Sequence, residues 1–139
     1  MAIRNARAED ALSLSLLSSE LGYPVPADIL ADRVRNLPAD HAVFVADVEG
    51  LVVGWIDVGL SFHLQSGTKA EIGGLVVAHA FRSRGIGGEL LRSAEQWARE
   101  HHAEKVALRS NIKRADAHRF YLREQYTQTK TSAVFEKAL

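Results

Sequence analysis

Seven consecutive residues, Arg82-Ser83-Arg84-Gly85-Ile86-Gly87-Gly88, concentrate chemical potential in one turn of this 139-residue chain. They follow an apolar stretch ending at Val77 and lead into an amphipathic one running to His101. A strand that feeds a helix through such a turn aims free backbone amides at one point. Glycines at 85 and 87 let the backbone come close to a bound group, because no Cβ intervenes. The two arginines add positive charge, and Ser83 adds a hydroxyl. This is an anion cradle, and the anion it suits is the diphosphate of a cofactor. The plainer alternative is a tight turn whose glycines only permit the bend, flanked by solvated arginines.

Other chemistries are bounded by what the chain contains. It has no cysteine, which removes disulfides, thiolate nucleophiles and cysteine-ligated zinc. Its 6 histidines lack HExxH or other ligand spacing, so no metal is expected. No serine or histidine sits in a recognisable nucleophile motif. Lys plus Arg is 17 and Asp plus Glu is 17, a balance that gives no reason to expect nucleic acid as a partner. The N-terminus lacks a long apolar signal region, and no apolar run reaches membrane-spanning length. A cytoplasmic protein with no membrane association fits.

The elements that must position the turn follow from periodicity. Ile3 marks a short edge strand over 2–7. Residues 8–21 read as a helix with Leu12, Leu16 and Leu17 as an apolar stripe, stopped by Gly22. The rigid Tyr23-Pro24-Val25-Pro26 leads to a second helix over 27–35, with Ile29, Leu30 and Val34 inward. Strands are expected at 42–47 and 51–60, joined by a tight turn at Glu49-Gly50. Gly54 and Gly59 suggest bulges or close approaches. Residues 61–69 read as a polar loop, and 71–77 as a buried central strand. Ile86, Leu90, Leu91, Ala94 and Trp97 give the helix over 85–101 its apolar face. A strand at 105–109, a helix over 111–124 and a closing hairpin from strands at 126–131 and 134–139 complete the order. The expectation is one α/β domain over residues 1–139, with a central mixed sheet of six or seven strands flanked by helices.

The segment from Val77 to Gly88 resembles the acetyl-coenzyme A motif of the GNAT N-acetyltransferase superfamily. That pattern is Arg or Gln, two residues, Gly, one residue, then Gly or Ala; here Arg82, Gly85 and Gly87 fill it. A second landmark, Ala117-His118-Arg119-Phe120-Tyr121, looks like the family's C-terminal helix with its tyrosine. The element order agrees over essentially the whole chain. Two positions depart from the pattern. Gln125 stands where the family usually has glycine, and Arg114 where it commonly has asparagine.

The resemblance implies acetyl-coenzyme A as cosubstrate, with its diphosphate on the amides of Arg84 to Gly88. Arg82, Ser83 and Arg84 would supply charge and a hydroxyl, and Ile86 would sit within the amide row. The backbone of Leu75, Val76 and Val77 would pair with the pantetheine arm, as an added strand pairs with an open sheet edge. Asn111 and Arg114 would complete the cofactor contacts. Tyr121 is implied as the general acid that protonates the leaving thiolate, and Glu71 as the general base or the holder of a cationic substrate. Asp57 and His79 are secondary candidates for the base, and His118 sits beside the tyrosine. The acceptor would be the primary amine of a small molecule or peptide, bound between residues 22–28, the 63–69 loop and the C-terminal hairpin. Tyr23, Trp55, Phe62 and Glu71 are its expected lining. The function implied is direct N-acetyl transfer, in a homodimer as the family frequently forms. A non-catalytic acetyl-coenzyme A sensor is the alternative.

Overall fold

Valines and isoleucines recur through 43–58, and the run reverses at Glu49-Gly50. These two residues have φ of 52° and 88°, the doubly left-handed geometry of a two-residue hairpin turn. Asp47 Oδ1 accepts the Gly50 N–H at 2.7 Å and holds the turn closed. The computed structural model describes residues 1–110 and 114–139. They divide into two compact units, 1–108 and 109–139.

The first unit is a five-stranded mixed sheet with helices. Its strands are β1 (Ala2–Asn5), β2 (His41–Val48), β3 (Leu51–His63), β4 (Gly67–Val77) and β5 (Val106–Leu108), in spatial order β1-β2-β3-β4-β5. Neighbours are antiparallel except for β4 and β5, which run parallel. Helices α1 (Ala11–Leu21) and α2 (Ala27–Arg35) precede β2, and α3 (Ile86–Glu100) links β4 to β5.

The faces follow from two consecutive residues of β3. A Cβ on Gly54 would lie 3.1 Å from Leu90 Cδ1 of α3, whereas Trp55 packs with Leu14 and Leu17 of α1. Neighbouring residues of a strand point to opposite faces, so α3 covers one face, and α1 with α2 covers the other. Leu14, Leu17, Val45, Val52 and Val76 form the core on the α1 side, joined by Leu30 and Val34 of α2. Leu90, Leu91, Ala94 and Trp97 are buried on the α3 side, as its periodicity predicts. Arg4 ties β1 to the start of α1 through a two-pronged bond to Asp10, both N–O distances 2.9 Å, and also reaches Asp47 at 3.1 Å.

Several expectations are corrected. Leu12 and Leu16 are 66% and 62% exposed; the buried stripe of α1 is Ala11, Leu14, Leu17 and Ser18. That stripe keeps the three- and four-residue spacing of one helix face, which the choice of Leu12 and Leu16 does not share with Leu14. Ile29 also faces outward, and Ala31 takes the buried place in α2. The polar stretch 61–69 is not a loop: β3 runs to His63 and β4 starts at Gly67, paired through Phe62–Thr68. An antiparallel ladder tolerates polar residues wherever one side meets solvent.

The second unit holds α4 (Ala115–Arg123). The two closing strands expected at 126–131 and 134–139 are absent, and the sheet has five strands rather than six or seven. Those residues have no ladder partner among the described residues, and an isolated two-stranded hairpin is marginal in water.

Candidate active site

The glycine turn is built by two left-handed residues. Ser83 has φ of 64° and Gly85 of 81°, on either side of Arg84. Gly85 is the N-cap of α3 and offers no side-chain cap, so the first amides of the helix keep no partner within it. The first helical bond is Glu89 N–H to the Gly85 carbonyl at 3.1 Å, which leaves the amides of Ile86, Gly87 and Gly88 at the open end. A Cβ on Gly85 would meet nothing within 4 Å, so the turn is open at its N-cap residue. Arg84 stacks its guanidinium 5.0 Å from the Phe81 ring centre, and Arg82 Nε donates to the Val77 carbonyl at 3.1 Å. The arginine side chains therefore brace the turn. Free amides and a helix N-terminus fit a diphosphate.

Behind the turn lies an open edge. β4 and β5 pair over three positions only, ending at Ile72–Leu108. β4 continues to Val77, and residues 73–77 have no strand partner on that side among the described residues. On the other side Gly74, Leu75, Val76 and Val77 pair with β3. A sheet strand turns its amides and carbonyls alternately to its two neighbours, so this edge presents unpaired backbone groups. Leu75, Val76 and Val77 thus combine side chains that are buried or half-buried with a backbone that is free along one side.

At the Gly73 end of that edge the sheet opens into a cavity of about 320 Å³. His41, Asp57, Ser61 and Glu71 are its polar lining. It lies on the α1 side of the sheet, because Asp57 follows Trp55 by two residues on β3. Three glycines make room for it. The His41 ring lies over Gly59, the Asp57 carboxylate over Gly73, and the Trp55 ring edge 2.8 Å from where a Cβ on Gly74 would stand. A bulge between Asp57 and Val58 gives β4 one extra residue, Gly73, whose N–H donates to Asp57 Oδ1 at 3.1 Å. Burial pushes the Asp57 carboxyl above its ordinary range, against the opposing effect of the Gly73 bond and of His41. Glu71 is more open, and its Oε1 stands 3.9 Å from Lys69 Nζ. Of the four residues expected to line the acceptor site, Glu71 lines this cavity; Phe62 and Tyr23 are each 69% exposed, and Trp55 lies beneath Gly74. The indole nitrogen of Trp55 is buried with no hydrogen-bond partner among the described residues.

In the second unit Tyr121 is anchored by the end of its helix. The Gln125 N–H bonds the Leu122 carbonyl, and the Tyr126 N–H bonds the Tyr121 carbonyl at 2.9 Å. This is the Schellman ending, which calls for a left-handed residue at Gln125, and its φ is 71°. Glutamine thus adopts the conformation usually given to glycine. The rings of Tyr121 and Tyr126 meet edge to face at 6.1 Å. Burial pushes the Tyr121 phenol above its ordinary range, with Arg114 opposing. Arg114 caps the start of α4, and Asn111 lies outside the described residues.

Asp57, a secondary candidate from the sequence, lines the cavity together with Glu71, and Gly73 and Gly74 were not among the expected residues. The signal was present as a pair of glycines on one strand facing Trp55 and Asp57, two residues apart, on the next.

An open strand edge beside the amide-rich start of a helix suits a ligand that carries both a phosphate and an extended amide chain. Residues 9–125 match the family described as Acetyltransferase (GNAT) family. The chain belongs to this family of acetyl-coenzyme A-dependent acetyltransferases. It is 40% identical over 133 residues to the aminoalkylphosphonate N-acetyltransferase of Salmonella typhimurium, covering 91% of this chain and 85% of that protein. It is 31% identical over 81 residues to the aminoglycoside N(6')-acetyltransferase type 1 of the same organism, covering 55% of each. In fold it is similar to the aminoglycoside N-acetyltransferase AAC(6')-Iy in complex with CoA, with a TM-score of 0.87 at 17% identity over 99% of this chain and 95% of that one.

Proposed function

We propose that the protein transfers an acetyl group from acetyl-coenzyme A to the primary amine of a small molecule by direct attack. The observation that carries this reading is the β4 edge from Gly73 to Val77, which joins the amide cradle at one end to the acid-lined cavity at the other. The diphosphate would rest on the amides of Arg84 to Gly88. The backbone of Leu75, Val76 and Val77 would pair with the pantetheine arm, and Arg114 and Asn111 would add side-chain contacts. The thioester would then reach Gly73 after about 13 Å of strand, four rises of about 3.3 Å. Tyr121 would give a proton to the departing thiolate, a role that a phenol kept neutral by burial can perform. Glu71 would attract the protonated amine.

The 40% identical relative makes aminoalkylphosphonates the first acceptor class, and aminoglycosides follow as the second. A homodimer would cover Val134, Phe135 and Leu139, which are exposed in the tail. The deciding experiment is a panel of aminoalkylphosphonates, aminoglycosides and polyamines, with release of the free thiol followed by colour. Turnover of at least one amine is expected. Acetyl-coenzyme A binding with no turnover by any of them would favour a sensor instead.

A further inference from the structure

We propose that Asp57, rather than Glu71, takes the proton from the attacking amine, and that Glu71 holds the substrate's positive charge; the assignment rests on the acetyl-transfer reading above. Three observations converge on it. Asp57 Oδ1 is bonded to the N–H of Gly73, the first residue of the open β4 edge, so this carboxylate stands where a thioester lying along that edge ends. The bulge that inserts Gly73 and the missing Cβ of that glycine make the space the carboxylate occupies. No lysine or arginine forms an ion pair with Asp57 among the described residues, although it is half-buried and faces a cavity. A carboxylate so placed has only the His41 imidazole as a charge partner, and a primary ammonium would supply a second. Glu71 differs on each count, being nearer solvent and already beside Lys69.

The chemistry also favours Asp57. A base is most effective when its affinity for the proton approaches that needed at working pH, and burial moves Asp57 in that direction. The titratable groups that face it are His41 on β2 and Glu71 on β4, with Asp40 bonded to His41 and Lys69 beside Glu71. The ammonium gives one proton to Asp57, and the freed nitrogen lone pair forms the C–N bond to the acetyl carbon. The C–S bond breaks with its electron pair on sulfur. The second nitrogen proton is matched by the proton the thiolate receives, and the proton on Asp57 leaves to solvent.

The test compares Asp57→Asn with Glu71→Gln in single-turnover kinetics across roughly pH 4 to 9, with an acceptor the wild type uses. Asparagine keeps the shape and can still accept the Gly73 N–H, and coenzyme A affinity by calorimetry checks that each variant retains its fold and cradle. Asp57→Asn should lower the acetyl-transfer rate by about 10²- to 10⁴-fold. It should also remove the acid limb of the profile, where the wild type loses rate as pH falls through a carboxyl midpoint above 3.8. Glu71→Gln should raise KM and leave the single-turnover rate within about tenfold. Carbon-13 carboxyl NMR of the wild type should show one aspartate titrating above 3.8 that is missing from Asp57→Asn. A wild-type rate and acid limb in Asp57→Asn would overturn the assignment and leave acetyl transfer standing, as would a rate loss confined to Glu71→Gln. No turnover of any amine by the wild type would overturn acetyl transfer, and the assignment with it.

Discussion

Gly85→Ala isolates what the left-handed turn contributes. A Cβ at this position meets nothing within 4 Å, so the substitution introduces no collision. Its native-state cost comes from φ of 81°, about 1–2 kcal/mol for an L-residue, of which the stiffer unfolded chain returns about 0.5–1 kcal/mol, for a net loss of about 0.5–1 kcal/mol. The strain can appear in two places. If the turn stays as it is, folding stability drops by that net amount and coenzyme A affinity is unchanged. If the turn relaxes in the free protein, stability rises by the unfolded-chain gain, but binding must restore the strained form. The dissociation constant then rises about 5- to 30-fold, the factor equivalent to 1–2 kcal/mol. The two losses should therefore sum to about 0.5–1 kcal/mol however they divide, once the gain from the stiffer unfolded chain is counted. Urea unfolding of the free protein gives the first loss, and calorimetry with coenzyme A gives the second. A variant with wild-type values in both would show that the turn works without a left-handed residue at 85, and the cradle argument would fail with it.

Tyr121→Phe keeps the edge-to-face packing on Tyr126 and removes the hydroxyl; on the proposed mechanism single-turnover acetyl transfer should fall about 10- to 10⁴-fold while coenzyme A affinity by calorimetry stays put. Gln125→Gly should stabilise the protein by about 0.5–1 kcal/mol in urea unfolding: relief of a left-handed φ gains about 1–2 kcal/mol, and the looser unfolded chain takes back about 0.5–1 kcal/mol. Asp10→Asn breaks the two-pronged bond to Arg4 and should cost about 1.5–3 kcal/mol at neutral pH. The Arg4 bond is also the main reason the Asp10 carboxyl sits below its unfolded value of 3.8, so that stabilisation is full above 3.8 and fades as pH falls through the lower folded value. Urea midpoints should accordingly separate wild type from variant at neutral pH and converge in acid.

The parts of this fold that were legible in the sequence are those where one residue decides the backbone or one face decides burial. Glu49-Gly50 announced its hairpin, Gly22 its helix end at φ of 100°, and the 3.6-residue rhythm from Ile86 to Trp97 its buried face. Helix α1 was misread because its many leucines permit more than one apolar face, and only the partner surface of Val45, Val52 and Val76 selects Leu14 and Leu17. The 61–69 stretch looked like a loop because strand pairing is a property of two segments, and neither reveals its partner alone. The same reason left the surroundings of Asp57 unread, because they depend on a register shift that places Gly73 beneath it. Gln125 shows the converse. The absence of glycine argued against a left-handed turn, yet the Schellman bonds and the Tyr121–Tyr126 contact hold one in place.

On the proposed reading, Gly73 is where the cradle, the edge and the cavity join. As the extra residue of a bulge, it turns its N–H toward Asp57 on β3. It is also the first residue of β4 past the last β5 pair, so the parallel ladder and the bulge change at the same point of the strand. A continuous ladder there would satisfy the β4 backbone and leave no edge for an added strand. A side chain there would take the space of the Asp57 carboxylate. The position therefore needs a residue with no Cβ because of the Asp57 carboxylate, and it coincides with the point where the β4 edge becomes free. Stability alone would favour filling it, since glycine inside a strand weakens the strand. On the proposed acetyl-transfer reading, this glycine and the one under Trp55 keep open the room that an acceptor amine would enter.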